Sequence, residues 1–218
     1  ISFGTSEGIP GKTIMDFDCA WDRVSVATTM GAALIIHNGT LEDTSDDIYY
    51  NLRGQLKERS DEVYATAIAA DGKVWFGTAD GLAYFEPGVL SDTVGIPEDL
   101  SATITSLTAD SFGNIWIGTL DGAAVYMPDG YFATFKSFHS NDAPVQDMTP
   151  LLSDAITSFA PTPIGGIFTD GNSGDIWFGF NGAAVVLHSP YDSSDDLPPL
   201  KIYPNPAVSQ RGIPPTIY

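Results

Sequence analysis

Few residues in this chain can move a proton near neutral pH. His37, His139 and His188 are the only histidines. His37 and His188 each stand six residues after a glycine, Gly31 and Gly182, that opens a similar apolar run. If the chain repeats at those glycines, the two imidazoles are equivalent and can converge on one face, as acid–base chemistry requires. The same spacing also describes two strand-end histidines on separate repeats, with no shared chemistry.

Metal and nucleophile chemistry are thinly represented too. Asp170-Gly-Asn172-Ser-Gly-Asp175 sets oxygen ligands at nearly alternate positions, as half of a calcium loop does. Asp170, Asn172 and Asp175 are therefore the candidate ligands, with Ca2+ the one cofactor the sequence raises. The glutamate that completes such a loop is absent. A plain hairpin, like those read at Asp71-Gly72 and Phe112-Gly113, explains the same residues. The runs Glu42-Asp43-Thr-Ser-Asp46-Asp47 and Asp192-Ser-Ser-Asp195-Asp196 read as solvated acidic loops. Cys19 is the single cysteine, which excludes an internal disulfide and a metal-binding cysteine pair. The chain shows no Ser-His-Asp signature, phosphate loop, haem-attachment motif or basic aromatic patch.

Aromatic residues carry the strongest signal. Trp75, Trp116 and Trp177 recur in one pattern: an apolar residue, Trp, an apolar residue, then Gly77, Gly118 or Gly179. A ring of tryptophans can bind sugars. Apolar neighbours on both sides point instead to packing between sheets, with these glycines allowing close approach.

These residues sit in a repeat. Val63–Gly88, Ile104–Gly130 and Ile156–Pro190 can be laid over one another, with an insertion before Trp177 in the last. Ile14–Gly39 is a weaker copy, in which Ser25 replaces the tryptophan and Trp21 is out of register. The glycine opening the third strand falls at Gly31, Gly81, Gly122 and Gly182, at spacings of 50, 41 and 60 residues. Each unit predicts four short strands. A half-buried strand such as Ile104–Ala109 leads into a tight turn at Gly72 or Gly113, where positive φ is needed. The Trp strand, an Asp-Gly turn and a third strand such as Ala123–Tyr126 follow. Phe132–Phe138 and Ile48–Leu52 are the clearest fourth strands. Helix content should be low, with at most a turn near Gln55–Arg59. The fold class is all-β: a β-propeller with four recognisable four-stranded blades, either part of a larger propeller or closed by strand exchange.

Composition agrees. Glycine and proline number 22 and 15, which suits many short strands and turns. The net charge of −19, from 28 acidic and 9 basic residues, excludes nucleic acid and anionic membrane surfaces as partners. No apolar run reaches the roughly 18 residues of a membrane helix, so no membrane insertion is expected within this chain. The first residue is Ile, so a leader or upstream domain is expected to have been removed.

The stretch ITSLTADSFGNIWIGTLDGAAVY resembles the two-component regulator propeller repeat of periplasmic sensor regions and exported bacterial proteins. That family's unit has a Gly-Leu-Pro lead-in, similar to Gly8-Ile9-Pro10 and Gly95-Ile96-Pro97 here, an Asp-x-x-Gly turn and a Trp-Ile-Gly-Thr strand. The resemblance covers most of residues 1–190 and implies more than four blades in a complete protein. Lys201-Ile-Tyr-Pro-Asn-Pro-Ala207 resembles the start of immunoglobulin-like or sorting domains of exported proteins. The alternative is a last outer strand followed by a rigid turn. The expected division is therefore 1–198 propeller and 199–218 linker or start of a following domain.

Together these readings describe an exported protein, extracellular, at the cell surface or periplasmic. It is expected to be non-catalytic and to act as a protein- or ligand-binding scaffold. A protein partner or self-association is expected, with a glycan as another ligand. Its working surface falls on the loops at 40–60, 139–153 and 161–174. Two other readings stand beside it. One is the periplasmic ligand-sensing region of a two-component regulator. The other is a propeller lyase or hydrolase built on His37 and His188.

Overall fold

The computed structural model describes residues 4–20, 22–40, 42–56, 61–89, 92–98, 100–120, 122–135, 166–169, 175–180, 183–187 and 201–204. They form four antiparallel sheets, each a four-stranded meander in chain order. The first blade is β1 (Ile14–Ala20), β2 (Arg23–Thr28), β3 (Gly31–Ile36) and β4 (Ile48–Asn51). The second is β5 (Val63–Ile68), β6 (Val74–Thr78), β7 (Leu82–Phe85) and β8 (Asp92–Val94). The third is β9 (Ile104–Ala109), β10 (Ile115–Thr119), β11 (Ala123–Tyr126) and β12 (Phe132–Phe135). The fourth is β13 (Gly166–Thr169), β14 (Ile176–Phe180), β15 (Ala183–Leu187) and β16 (Lys201–Pro204). The one helical element among the described residues is a 3-10 turn at Thr5–Glu7. The four-bladed, four-stranded reading therefore holds.

Lys201–Pro204 supplies the outer strand of the fourth blade, and the rest of 199–218 lies outside the described residues. The structure differs from the repeat alignment at the start of that blade. The strand paired with the Trp177 strand is Gly166–Thr169, in register Thr169↔Ile176, not the segment beginning at Ile156. This pairing leaves a short hairpin between the strands, whereas pairing from Ile156 would close a longer and entropically costlier loop. Ile156 itself lies outside the described residues. Two of the long loops also carry strands: 48–51 is β4 and 166–169 is β13.

The sheets stack face to face, and successive first strands β1, β5, β9 and β13 contact one another. Alternation along the Trp strand divides its side chains between two interfaces. Val74 and Phe76 join Leu34, Ile36 and Leu52 between blades one and two. Trp75 joins Ile104, Leu107, Ile115 and Ile117 between blades two and three. That is why both faces of the strand are apolar. A bulge interrupts the first strand of blades one to three at one repeat position, with Met15, Tyr64 and Thr105 as the extra residues. The bulge shifts the alternation, so Ile104 and Leu107 face the same interface although three positions apart.

Two blades approach closely at Gly77. A Cβ built there would stand 2.9 Å from Cβ of Ile104 and closer still to its Cγ2. At the equivalent place blade one has Ala27, and the strand opposite begins with Val63, both fully buried. The two interfaces thus hold Ala with Val and Gly with Ile, which conserves volume. The threonine that follows is a turn lock. Thr28, Thr78 and Thr119 donate from Oγ1 to the carbonyls of Gly31, Gly81 and Gly122 at 2.8, 3.0 and 2.9 Å. All three threonines are fully buried, and this bond satisfies their hydroxyls.

Blade one lacks the tryptophan and fills the space with a polar network. Ser25 is fully buried and accepts from Thr66 Oγ1 at 2.9 Å. Asp16 and Asp18 of β1 accept from the backbone N–H of Thr66 and Ile68 at 2.9 and 2.8 Å. Their other oxygens take the N–H of Phe17 and Cys19. Two carboxylates thereby satisfy the inner edge of β5, which would otherwise present unpaired donors.

Candidate functional site

A cleft of about 500 Å3 lies between blades two and three. Its floor and walls are Trp75, Tyr84, Tyr126 and Phe112, with Ala69, Asp71 and Lys73 on one rim. Strand pairing explains the convergence. Trp75 and Tyr84 are cross-strand partners on β6 and β7, so both face blade three. Tyr126 on β11 faces back. The Trp75 ring meets Tyr84 at 5.1 Å and Tyr126 at 5.5 Å between centroids. Such aromatic contacts are worth roughly 0.5–1.5 kcal/mol each beyond area burial. Trp75 is only 6% exposed, whereas Phe112 at the mouth is 52% exposed.

The rim is made by two equivalent hairpins. In blade two the N–H of Ala69 bonds the carbonyl of Lys73, and the N–H of Gly72 bonds the carbonyl of Ala69. In blade three Asp110 and Asn114, then Gly113 and Asp110, repeat both bonds. Gly72 and Gly113 have φ of +89° and +85°, the positive values that the turn requires. The backbones match, but their side chains do not. Asp110 accepts four hydrogen bonds, from the N–H of Phe112 and Asn114, from Asn114 Nδ2 and from Trp116 Nε1. Ala69 stands at that position in blade two. Lys73 pairs with Asp71 at 3.3 Å and lies 5.8 Å from the centroid of the Tyr84 ring.

The residues singled out by sequence fall in different places. Trp116 is buried and meets Phe178 of the next blade edge-on at 6.0 Å. Trp177, on the fourth blade, is half-buried. Gly118 lies in β10 as Gly77 lies in β6, and among the described residues the ideal Cβ of Gly179 comes nearest to its own blade, 3.5 Å from the carbonyl oxygen of Gly166. His37 is buried at the end of β3. Its Nδ1 accepts from the N–H of Gly39 at 3.2 Å, its own N–H donates to the carbonyl of Asp22, and its carbonyl accepts from Thr40. These bonds fasten the loop after β3. His139 and His188 lie outside the described residues, so their distance from His37 does too. Asp170 and Asn172 also lie outside them, while Asp175 is half-buried just before β14. Asp170 follows β13 in sequence as Asp110 follows β9. Among the described residues, no group of three or more His, Cys, Asp or Glu could hold a metal ion, and no helix is long and apolar enough to cross a membrane.

Sequence reasoning did not find the cleft. Tyr84 and Tyr126 occupy different repeat positions, and only strand pairing turns them toward one another. One signal was available: the contrast between Ala69 and Asp110 in otherwise matching hairpins.

Residues 99–121 match the two component regulator propeller family. The matched segment begins just after the Gly95-Ile96-Pro97 lead-in and runs through the Asp110 hairpin and the Trp116 strand. No curated protein matches the chain. Among solved structures, the extracellular domain of a B. thetaiotaomicron protein described as a one component system superposes with a TM-score of 0.59 at 18% identity, covering 86% of this chain and 22% of that one. Virginiamycin B lyase from Staphylococcus aureus gives 0.57 at 12% identity, covering 88% and 55%. PorZ, a surface component of the type-IX secretion system of Porphyromonas gingivalis, gives 0.54 at 18% identity, covering 82% and 26%. The chain thus spans 22%, 55% and 26% of these structures. At such identities the likeness shows the fold, and the fold is a β-propeller.

Proposed function

We propose that this chain is a non-catalytic binding module of an exported protein, and that the aromatic cleft between blades two and three is a contact site. The observation that carries this is the cleft itself. A rigid stack of sheets holds four aromatic side chains around a cavity of about 500 Å3, with Phe112 half-exposed at its mouth. Pockets of this size and lining take small ligands or a partner's side chains. The extracellular setting of the B. thetaiotaomicron domain and the surface setting of PorZ support the exported reading. His37 supports the non-catalytic one, because its Nδ1 is engaged in holding a loop.

A photo-crosslinking residue at position 112 of the full-length protein, in intact cells of the source bacterium, tests this. An adduct is expected at 112 and not at the more exposed Tyr131. External protease should remove it without lysis. No adduct at 112, or an adduct in a protease-protected fraction, contradicts the proposal. The family match at 99–121 favours a second reading, the ligand-sensing region of a two-component regulator. A membrane helix followed by a kinase domain in the full gene supports that version; a following immunoglobulin-like or sorting domain opposes it.

A further inference from the structure

Blade two has the donors of a carboxylate site that blade three fills with Asp110, but Ala69 in its place. In blade three, Asp110 receives the N–H of Phe112 and the indole N–H of Trp116 at 2.9 and 3.0 Å. The matching donors in blade two are the N–H of Asp71 and the indole N–H of Trp75. Neither has a hydrogen-bond partner among the described residues. Trp75 is nine-tenths buried, lines the cleft and has Ala69 where Trp116 has Asp110. The buried side-chain atoms left without a partner among the described residues are Asp47 Oδ1 and Ser106 Oγ, so the Trp75 indole N–H is open to the cleft, where water or a ligand reaches it. Lys73 adds an ammonium at the position of Asn114, whose side chain also donates to Asp110. Truncation to alanine both removes the acceptor and opens the space.

We propose that the cleft receives a carboxylate carried on a planar apolar body, the carboxylate standing in for the side chain of Asp110 and the body lying among Phe112, Tyr84 and Tyr126. This rests on the reading of the cleft as a contact site. The donors fit the head group: two N–H groups and one ammonium. Asp71 offsets part of the Lys73 charge, so the fixed N–H donors and ring contacts supply the selectivity. The net charge of −19 opposes an anion at long range. That repulsion is screened beyond about 8 Å at physiological ionic strength, which leaves the local donors to decide.

Benzoate is the probe, with benzyl alcohol as the same body without the carboxylate and acetate as the carboxylate without the body. The full chain, labelled with 15N, is titrated at neutral pH and the indole N–H resonances are followed, Trp75 being assigned with Trp75→Phe. Benzoate should shift the Trp75 resonance with a dissociation constant on the order of millimolar, as expected for so small a ligand. Benzyl alcohol and acetate should each bind at least about tenfold more weakly, the loss of one strong interaction. Ala69→Asp supplies the missing carboxylate from within. It should raise Tm and abolish the benzoate shift. Equal binding of benzoate and benzyl alcohol, no shift of Trp75, or unchanged benzoate affinity in Ala69→Asp would each overturn the proposal. Should Ala69→Asp fail to fold, Lys73→Gln serves in its place, with about a tenfold loss expected from removing a charged donor and unchanged affinity counting against the site. If crosslinking at 112 captures a partner while benzoate fails, the cleft remains a contact site and the carboxylate assignment alone is wrong.

Discussion

Single residues set the spacing of the blades. Gly77 has no room for a Cβ against Ile104, yet blade one tolerates Ala27 near Val63. Gly77→Ala should therefore destabilise the protein by about 1–3 kcal/mol, the usual cost of overpacking. Ile104→Val removes only Cδ1 and keeps the Cβ and Cγ2 that the new methyl meets, so adding it should recover little of that loss. Chemical denaturation of both variants measures it, and a Gly77→Ala variant as stable as the parent would contradict the close approach. Asp110 is a second such residue. Asp110→Ala strips an acceptor from four donors and should cost about 1–3 kcal/mol through the groups left unpaired. The Trp-x-Gly pattern announced the close approach of sheets because it recurs in blades two, three and four. The role of Asp110 was harder to read, since Asp in a turn satisfies so many local patterns. Only the fourth bond, to Trp116 six positions on, distinguishes it.

At the scale of elements, edges and bulges decide what pairs with what. Asp16 and Asp18 bond the edge of β5, 50 residues away. Asp18→Ala should release the N–H of Ile68 and speed its amide exchange, while exchange at Ile117 in the centre of β10 stays slow. Uniform protection would mean that the stitch contributes nothing. Asp16 also links stability to pH. Burial, the largest effect, raises its pKa above the ordinary aspartate value, against the lowering by its bonds from Thr66 and Phe17. A group raised in the folded state contributes stability that is present below its unfolded pKa and is lost as pH rises through the folded one. The Tm of the parent minus that of Asp16→Asn should therefore increase as pH falls through the acid range. A difference that is flat or of opposite slope would show that the hydrogen bonds outweigh burial. None of this was legible in sequence. The bulge at Met15 breaks the alternation that would have told which side chains of β1 face blade two, and the partners of both carboxylates are backbone groups that no residue code reveals.

For the whole molecule, the repeats explain the architecture and their disagreements locate the candidate function. The stack leaves Phe17 on β1 and Phe168 on β13 at 65% and 64% exposed. By strand register these two aromatics point away from the described blades, one at each end. We expect them to seat further blades or a second copy, since exposed apolar faces of this kind seek cover. Sedimentation of the 218-residue chain should show concentration-dependent association that Phe17→Ser with Phe168→Ser abolishes. A monomer unaffected by the substitutions would show that the faces are covered within the chain. Between the ends, the most telling disagreement is Ala69 against Asp110. It leaves one tryptophan of two equivalent blades with an open donor facing a cavity. Hydrogen exchange of the tryptophan indoles tests this most directly. The Trp116 N–H, held by Asp110, should exchange slowly, and the Trp75 N–H should exchange far faster although its ring is almost as deeply buried. Equal protection of the two would mean that the donor in blade two is already satisfied, and that the cleft has no vacant place for a ligand to fill.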